Sequence, residues 1–175
     1  MLPLLSKALE HKRTLILAPT KELCAQLTTV VKQLSTYIPQ LRVRNIAGKE
    51  SDAVTKAALA EQPDFVVATP SRAWANVNSG ALDASALGAL VVDEADLTMA
   101  YGGESDIRAL SEIIPRGVQK ILVSATLSAE VESLGDLLCT DPVIIKLDDQ
   151  KSSQLVKQYV LKVAEEEKCR YFNRQ

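Results

Sequence analysis

The chain has 175 residues, 47% of them hydrophobic, enough for one globular domain burying roughly 70% of its unfolded surface and too few for two. A formal net charge of −2 excludes nucleic-acid binding through the field of the whole molecule, so any such contact needs a local patch. Cys24, Cys139 and Cys169 are dispersed without a CxxC pair and His11 is the sole histidine, which excludes a thiolate or imidazole metal centre and leaves oxygen-bound Mg²⁺.

The odd, unpaired cysteines point to a reducing compartment. Met1 to Leu9 is cut by Pro3, Ser6 and Lys7, too short for a secretory signal or a membrane span, so an intracellular, soluble protein is expected. A first apolar run, Thr14 to Ala18, reads as a strand. Leu23, Leu27, Val30 or Val31, and Leu34 then repeat at helical spacing, with Thr20 as N-cap. Further strands are expected at Leu41 to Ala47 and Phe65 to Ala68. Thr69 and Pro70 start a helix that Gly80 stops. Ala89 to Val92 and Ile121 to Val123 read as strands, with the apolar face of Leu110, Ile113 and Ile114 between them. Ser128 caps a last helix through Leu138, and Val143 to Leu147 is expected as a sixth strand.

Most of these runs are continuous in Val, Ile and Leu, as in strands buried on both faces of a parallel sheet. Their alternation with helices implies an open α/β sheet whose ligands sit at the carboxyl ends of the strands. After Leu147, the polar run Asp148 to Gln154 reads as a linker. Leu155 to Val163 followed by Glu165 to Arg170 begins a segment that the chain does not complete.

Four strand ends carry unusual chemistry. Pro19, Thr20, Lys21 and Glu22 follow the first, and Thr69, Pro70, Ser71 and Arg72 follow the third. Asp93, Glu94 and Asp96 follow the fourth, where carboxylates can hold Mg²⁺ and orient a water against a phosphate. Ser124 and Thr126 follow the fifth. Singly, each has an ordinary explanation as a helix cap, a first-turn acid or a turn. Helix N-termini after Thr20 and Thr69, flanked by Lys21 and Arg72, also suit phosphate oxygens.

Together, in this order and spacing, the four elements resemble the first RecA-like domain of the DEAD-box RNA helicases, over residues 13 to 147. The resemblance implies a RecA-like open parallel sheet with helices on both faces, and ATP hydrolysis coupled to RNA duplex unwinding. It implies that Pro19 to Glu22, Thr69 to Arg72 and Gly48, in a reduced Gly-Gly element, grip the RNA sugar-phosphate backbone. It further implies that Asp93 binds Mg²⁺ through water and that Glu94 orients or deprotonates the attacking water. Asp96 would accept hydrogen bonds from Ser124 and Thr126, which couple hydrolysis to strand separation. Leu97, Tyr101 and Gly102, then Pro115 to Gln119, look most like the nucleolar helicases of large-ribosomal-subunit assembly, which implies a nuclear or nucleolar place and pre-ribosomal protein partners.

Two departures are mild: Lys21 stands where many members carry Arg, and Ser71 where many carry Gly. The third is not. ATP binding in the family uses a GxxxxGK[ST] loop, yet the only Gly followed by Lys is Gly48, with Glu50 at the Ser/Thr position and Val43 at the first glycine. Losing even three charge-assisted hydrogen bonds of such a loop costs roughly 5–9 kcal/mol of binding. The expectation is therefore a partial first helicase domain at residues 1–147, lacking the phosphate-loop strand, followed at 148–175 by a linker and a truncated segment. Catalysis by this chain alone is not expected. Without that strand, unpaired sheet edges and a marginal, aggregation-prone domain are expected. The alternative is a non-catalytic RNA- or protein-binding fragment.

Overall fold

A computed structural model describes residues 12–147. Five strands form one parallel sheet in the order β2-β3-β1-β4-β5: β1 (Arg13–Leu17), β2 (Val43–Asn45), β3 (Phe65–Ala68), β4 (Leu87–Val92) and β5 (Gln119–Leu122). Six α-helices are described: α1 (Lys21–Leu34), α2 (Asp52–Ala60), α3 (Pro70–Asn78), α4 (Ala95–Ala100), α5 (Glu104–Ile113) and α6 (Ala129–Leu138). The chain leaves β1 toward β2 on one side, then returns through β3 and crosses to β4 and β5 on the other. The reversal between β1 and β4 is the kind of switch point at which open α/β sheets bind ligands.

The two-residue period of the strands explains why both faces are apolar. Leu15, Leu17, Val66, Leu90 and Val92 point to one face and pack with Ala73 of α3, Ile107 and Leu110 of α5 and Leu134 of α6. Ile16, Phe65, Val67, Ala89 and Val91 point to the other, where Cys24 and Val31 of α1 cover them. Burial pushes the Cys24 thiol up to about 11, so it behaves as a small core hydrophobe.

Two expectations need correction, and one helix was not foreseen. The run from Val143 to Leu147 forms no strand, and Val143, Ile144, Ile145 and Leu147 are exposed. A strand exists only where a neighbour takes its backbone hydrogen bonds, and apolar composition supplies none. The fully buried residues of α1 are Cys24, Thr28 and Val31, with the expected Leu23 and Leu27 packed partly buried beside them, while Val30 and Leu34 are half-exposed. Thr28 and Ser35 can be buried because their hydroxyls donate to the carbonyls of Cys24 (2.7 Å) and Val31 (2.8 Å). Helix α2, capped by Ser51, was not apparent from the apolar spacing.

Among the described residues β5 has a partner only in β4, and its outer edge pairs with no described strand. The expected elements between Asp148 and Arg170 lie outside the described residues.

Candidate RNA and nucleotide site

The strand order arranges the four motifs in a row along the carboxyl edge of the sheet. Gly48 lies beyond β2, Thr69 to Arg72 beyond β3 and Pro19 to Glu22 beyond β1. Next come Asp93, Glu94 and Asp96 beyond β4, and finally Ser124 and Thr126 beyond β5. The phosphate-suited helix starts thus occupy one half of the edge and the acids the other.

In the acidic half, backbone bonds weld the ends of β4 and β5 together. Val123 donates to the Val92 carbonyl at 2.9 Å, Ala95 donates to the Val123 carbonyl at 3.0 Å, and Asp93 donates across to Leu17 of β1 at 2.9 Å. Glu94 sits in the left-handed region with φ 47° and ψ 57°, at the start of α4 and without a side-chain cap bond. A non-glycine residue held there costs of order 1–3 kcal/mol, and such strain clusters where side-chain direction matters. The Asp93 Oδ1 accepts from the Glu94 N–H at 3.0 Å, which fixes the carboxylate over the turn.

Asp96 behaves mostly as expected. Thr126 Oγ1 donates to its Oδ2 at 2.9 Å. Ser124 Oγ also accepts from the Asp96 backbone N–H at 3.3 Å, a bond to the main chain that was not expected. The Thr126 bond, ahead of weaker contributions from the Leu97 N–H and Ser124, holds the exposed Asp96 carboxyl below the ordinary carboxylate range. A depressed folded-state value means the bond is present above the unfolded value and lost as pH falls through the folded one. Thr126→Val should therefore raise the Asp96 titration midpoint toward that of a free aspartate, read by side-chain NMR. An unchanged midpoint would mean the bond is not formed in solution.

In the other half, Thr20 Oγ1 accepts from the Leu23 N–H at 3.2 Å and starts α1, whose first turn carries the exposed Glu22. Pro70 opens α3 without a side-chain cap bond, and the Thr69 and Ser71 hydroxyls lie 3.5 Å apart. Thr20, Lys21, Thr69 and Ser71 line one cavity of about 360 Å³. Arg72 is turned away from it. Its Nε donates to the Ile46 carbonyl at 3.2 Å, with its other nitrogens toward Asp52 Oδ1 (3.4 Å) and Thr55 Oγ1 (3.3 Å). This guanidinium binds the start of α3 to the segment around Gly48, which is itself exposed and outside the cavity.

The remaining wall comes from the turn between α4 and α5, whose Tyr101 and Gly102 the sequence reading took as a mark of subgroup and not as part of the site. Gly102 has φ +76°, and a Cβ on Gly103 would meet Thr98 Cγ2 at 2.9 Å and Pro70 Cγ at 3.1 Å. The glycines let this turn close onto α3. Thr98 joins the two halves: it lines the cavity while its Oγ1 donates to the Asp93 carbonyl at 3.4 Å. The consecutive glycines after a short helix are the one sequence signal that marked the turn.

Comparison with known proteins shows the family. The family model described as DEAD/DEAH box helicase matches residues 1–134. The chain belongs to the DEAD/DEAH box helicase family. Its similar relatives include the ATP-dependent RNA helicase DBP9 of Phaeosphaeria nodorum, 58% identical over 172 residues that make up 96% of this chain and 29% of that protein. A protein of the same name from Emericella nidulans is 46% identical over 179 residues, and one from Aspergillus terreus 46% over 181, with the same coverage. The chain thus spans about 29% of the length of the curated relatives it matches. The α/β parallel sheet agrees with that family. Among the described residues no helix is long and apolar enough to cross a membrane.

Proposed function

We propose that this chain is a first-domain portion of an ATP-dependent RNA helicase, supplying the RNA grip and the water-positioning acids of the ATPase. The observation that carries the reading is the division of the sheet edge: helix starts suited to phosphates beyond β3 and β1, and a hydrogen-bonded acidic turn beyond β4 and β5. The substrate strand is held by its sugar-phosphate backbone, without base readout.

The carboxylate of Asp93 has the donor chemistry of a hard cation, and Mg²⁺ held through water there would neutralise phosphate charge. Glu94 directs the attacking water, and Asp96 with Thr126 and Ser124 ties that turn to β5. ATP itself does not fit these residues alone, because no GxxxxGK[ST] loop occurs among them. Hydrolysis belongs to a longer protein of the kind the relatives represent. By the texture of residues 97–102 and 115–119, that protein acts in large-ribosomal-subunit assembly, in the nucleus or nucleolus, among pre-ribosomal proteins. The intact phosphate-suited half also favours a second reading, an RNA-binding fragment without catalysis.

Fluorescence anisotropy with single-stranded oligouridine over a salt series tests the grip. The logarithm of the binding constant should fall linearly with that of salt, by about 0.7 per phosphate contacted, and Lys21→Ala should lower the slope by roughly one contact. Salt-independent binding would contradict the reading.

A further inference from the structure

A second groove runs between α2 and α3 and shares no lining residue with the cavity at the carboxyl edge. It encloses about 260 Å³, and its apolar walls are the methyl groups of Ala53 on α2, Ala75 on α3 and Ala81 just beyond it. Larger side chains would close the space between two helices, and alanines leave it open.

Asn76 of α3 lines this groove and is only 8% exposed. Its Nδ2 donates to the Arg72 carbonyl one turn back at 2.8 Å, which fixes the amide, because a carbonyl can be met only by the NH₂ end. The Oδ1 receives no hydrogen bond from any described residue. Even the neighbouring Ser79 hydroxyl gives its proton to the Asn76 main-chain carbonyl, at 3.2 Å. A largely buried amide oxygen without a donor is uncommon, and a ligand that brings an N–H satisfies it. Across the groove on α2, Lys56 is exposed and takes part in no ion pair among the described residues, while Asp52 is paired with Arg72 at 3.4 Å.

One wall thus presents an acceptor and the other a donor, with methyl groups between them. A phosphate fits poorly, since the Asn76 oxygen repels it, and a basic side chain fits poorly, since Lys56 repels that. A trans peptide group fits, because it is uncharged and its N–H and C=O point to opposite sides.

We propose that this groove docks the extended main chain of a protein partner, one peptide group spanning it with its N–H donating to Asn76 Oδ1 and its C=O accepting from Lys56 Nζ. The alanine walls admit only a small side chain beside that group. The surface is separate from the RNA grip and does not depend on it.

The test is a ¹⁵N-resolved NMR titration of the whole chain with acetyl-alanine methylamide, and with the same molecule methylated on both nitrogens, which has no N–H. Saturable shifts should appear at Ala53, Ala75, Asn76 and Ala81. The methylated probe should bind about fivefold more weakly, the value of one neutral hydrogen bond. Asn76→Leu should make the two probes equal, and Lys56→Ala should weaken both. Ala53→Leu, which fills the groove from an exposed position, should abolish the shifts. Circular-dichroism melts establish that the variants fold, and the two exposed α2 positions carry the test should Asn76→Leu not fold. Equal binding of the two probes by the unaltered chain, no saturable shift at these residues, or shifts that survive Ala53→Leu would overturn the proposal. The shifts should also persist in excess oligouridine, and their displacement would assign the groove to RNA and overturn the protein partner.

Discussion

Glu94→Gln should lower ATP turnover by roughly 10²–10⁴-fold, the range for a lost general base, while leaving RNA affinity within about twofold. The measurement needs a phosphate-binding loop, so the chain is grafted in place of the matching segment of the Phaeosphaeria nodorum relative, 58% identical there. Phosphate release is then followed with and without RNA. On the role proposed for Glu94, so large an effect follows because the backbone is already held in an unfavourable conformation that orients this side chain. Glu94 keeps φ 47° while the bonds from Ala95 to Val123 and from Asp96 to Ser124 lock the residues after it. Glutamine preserves shape and loses the proton acceptor. A valine at the same place should fail differently, since a branched side chain in the left-handed region destabilises the fold as well. Turnover within tenfold of the parent for Glu94→Gln would remove this residue from the chemistry.

Phe65→Ala should cost about 3–5 kcal/mol of stability, a large share of the roughly 5–15 kcal/mol that holds a domain together. Phe65 heads the largest fully buried side chains and lies in β3 between Thr14 of β1 and Val43 of β2. It packs with Ile16, Val31 and Val67 under α1, so its removal opens a void beneath the helix that starts at the RNA side. Urea unfolding followed by circular dichroism should show a large fall in midpoint. Phe65→Leu, which keeps most of the volume, should lose only part of that amount. Loss of RNA binding in step with the lost stability would place the grip on a folded α1.

The strands were readable where burial on both faces demanded continuous apolar residues: Phe65 to Ala68 matches β3 residue for residue, and β4 only adds Leu87 and Gly88 ahead of Ala89. Legibility failed where partners decide. Val143 to Leu147 has the composition of a strand and forms none, because pairing is a tertiary property. The α1 stripe was read in part: Leu23, Leu27 and Val31 do face the core, but Thr28 and Ser35 count as polar in sequence and satisfy themselves on their own helix.

At the candidate site, the acids and hydroxyls were singled out because their order resembles a family, yet their geometry was only partly foreseeable. The Thr126 to Asp96 bond is present, and Ser124 in addition accepts from the Asp96 main chain, which was not foreseen. Arg72 was read as a hand for phosphate, and its three nitrogens also lie toward Ile46, Asp52 and Thr55, contacts that the sequence did not reveal. Tyr101 and Asp106 reach the cavity only because Gly103 permits a close approach to Pro70, a contact that no spacing in the sequence encodes.

The central claim is that this chain holds the RNA grip and the acids of a helicase without the means to hold ATP. Calorimetric titration of the chain with oligouridine, and separately with ATP and Mg²⁺, tests both parts in one experiment. The account predicts salt-dependent RNA binding together with no saturable ATP binding up to about 1 mM. Micromolar ATP binding, or an absence of RNA binding by the folded chain, would contradict it.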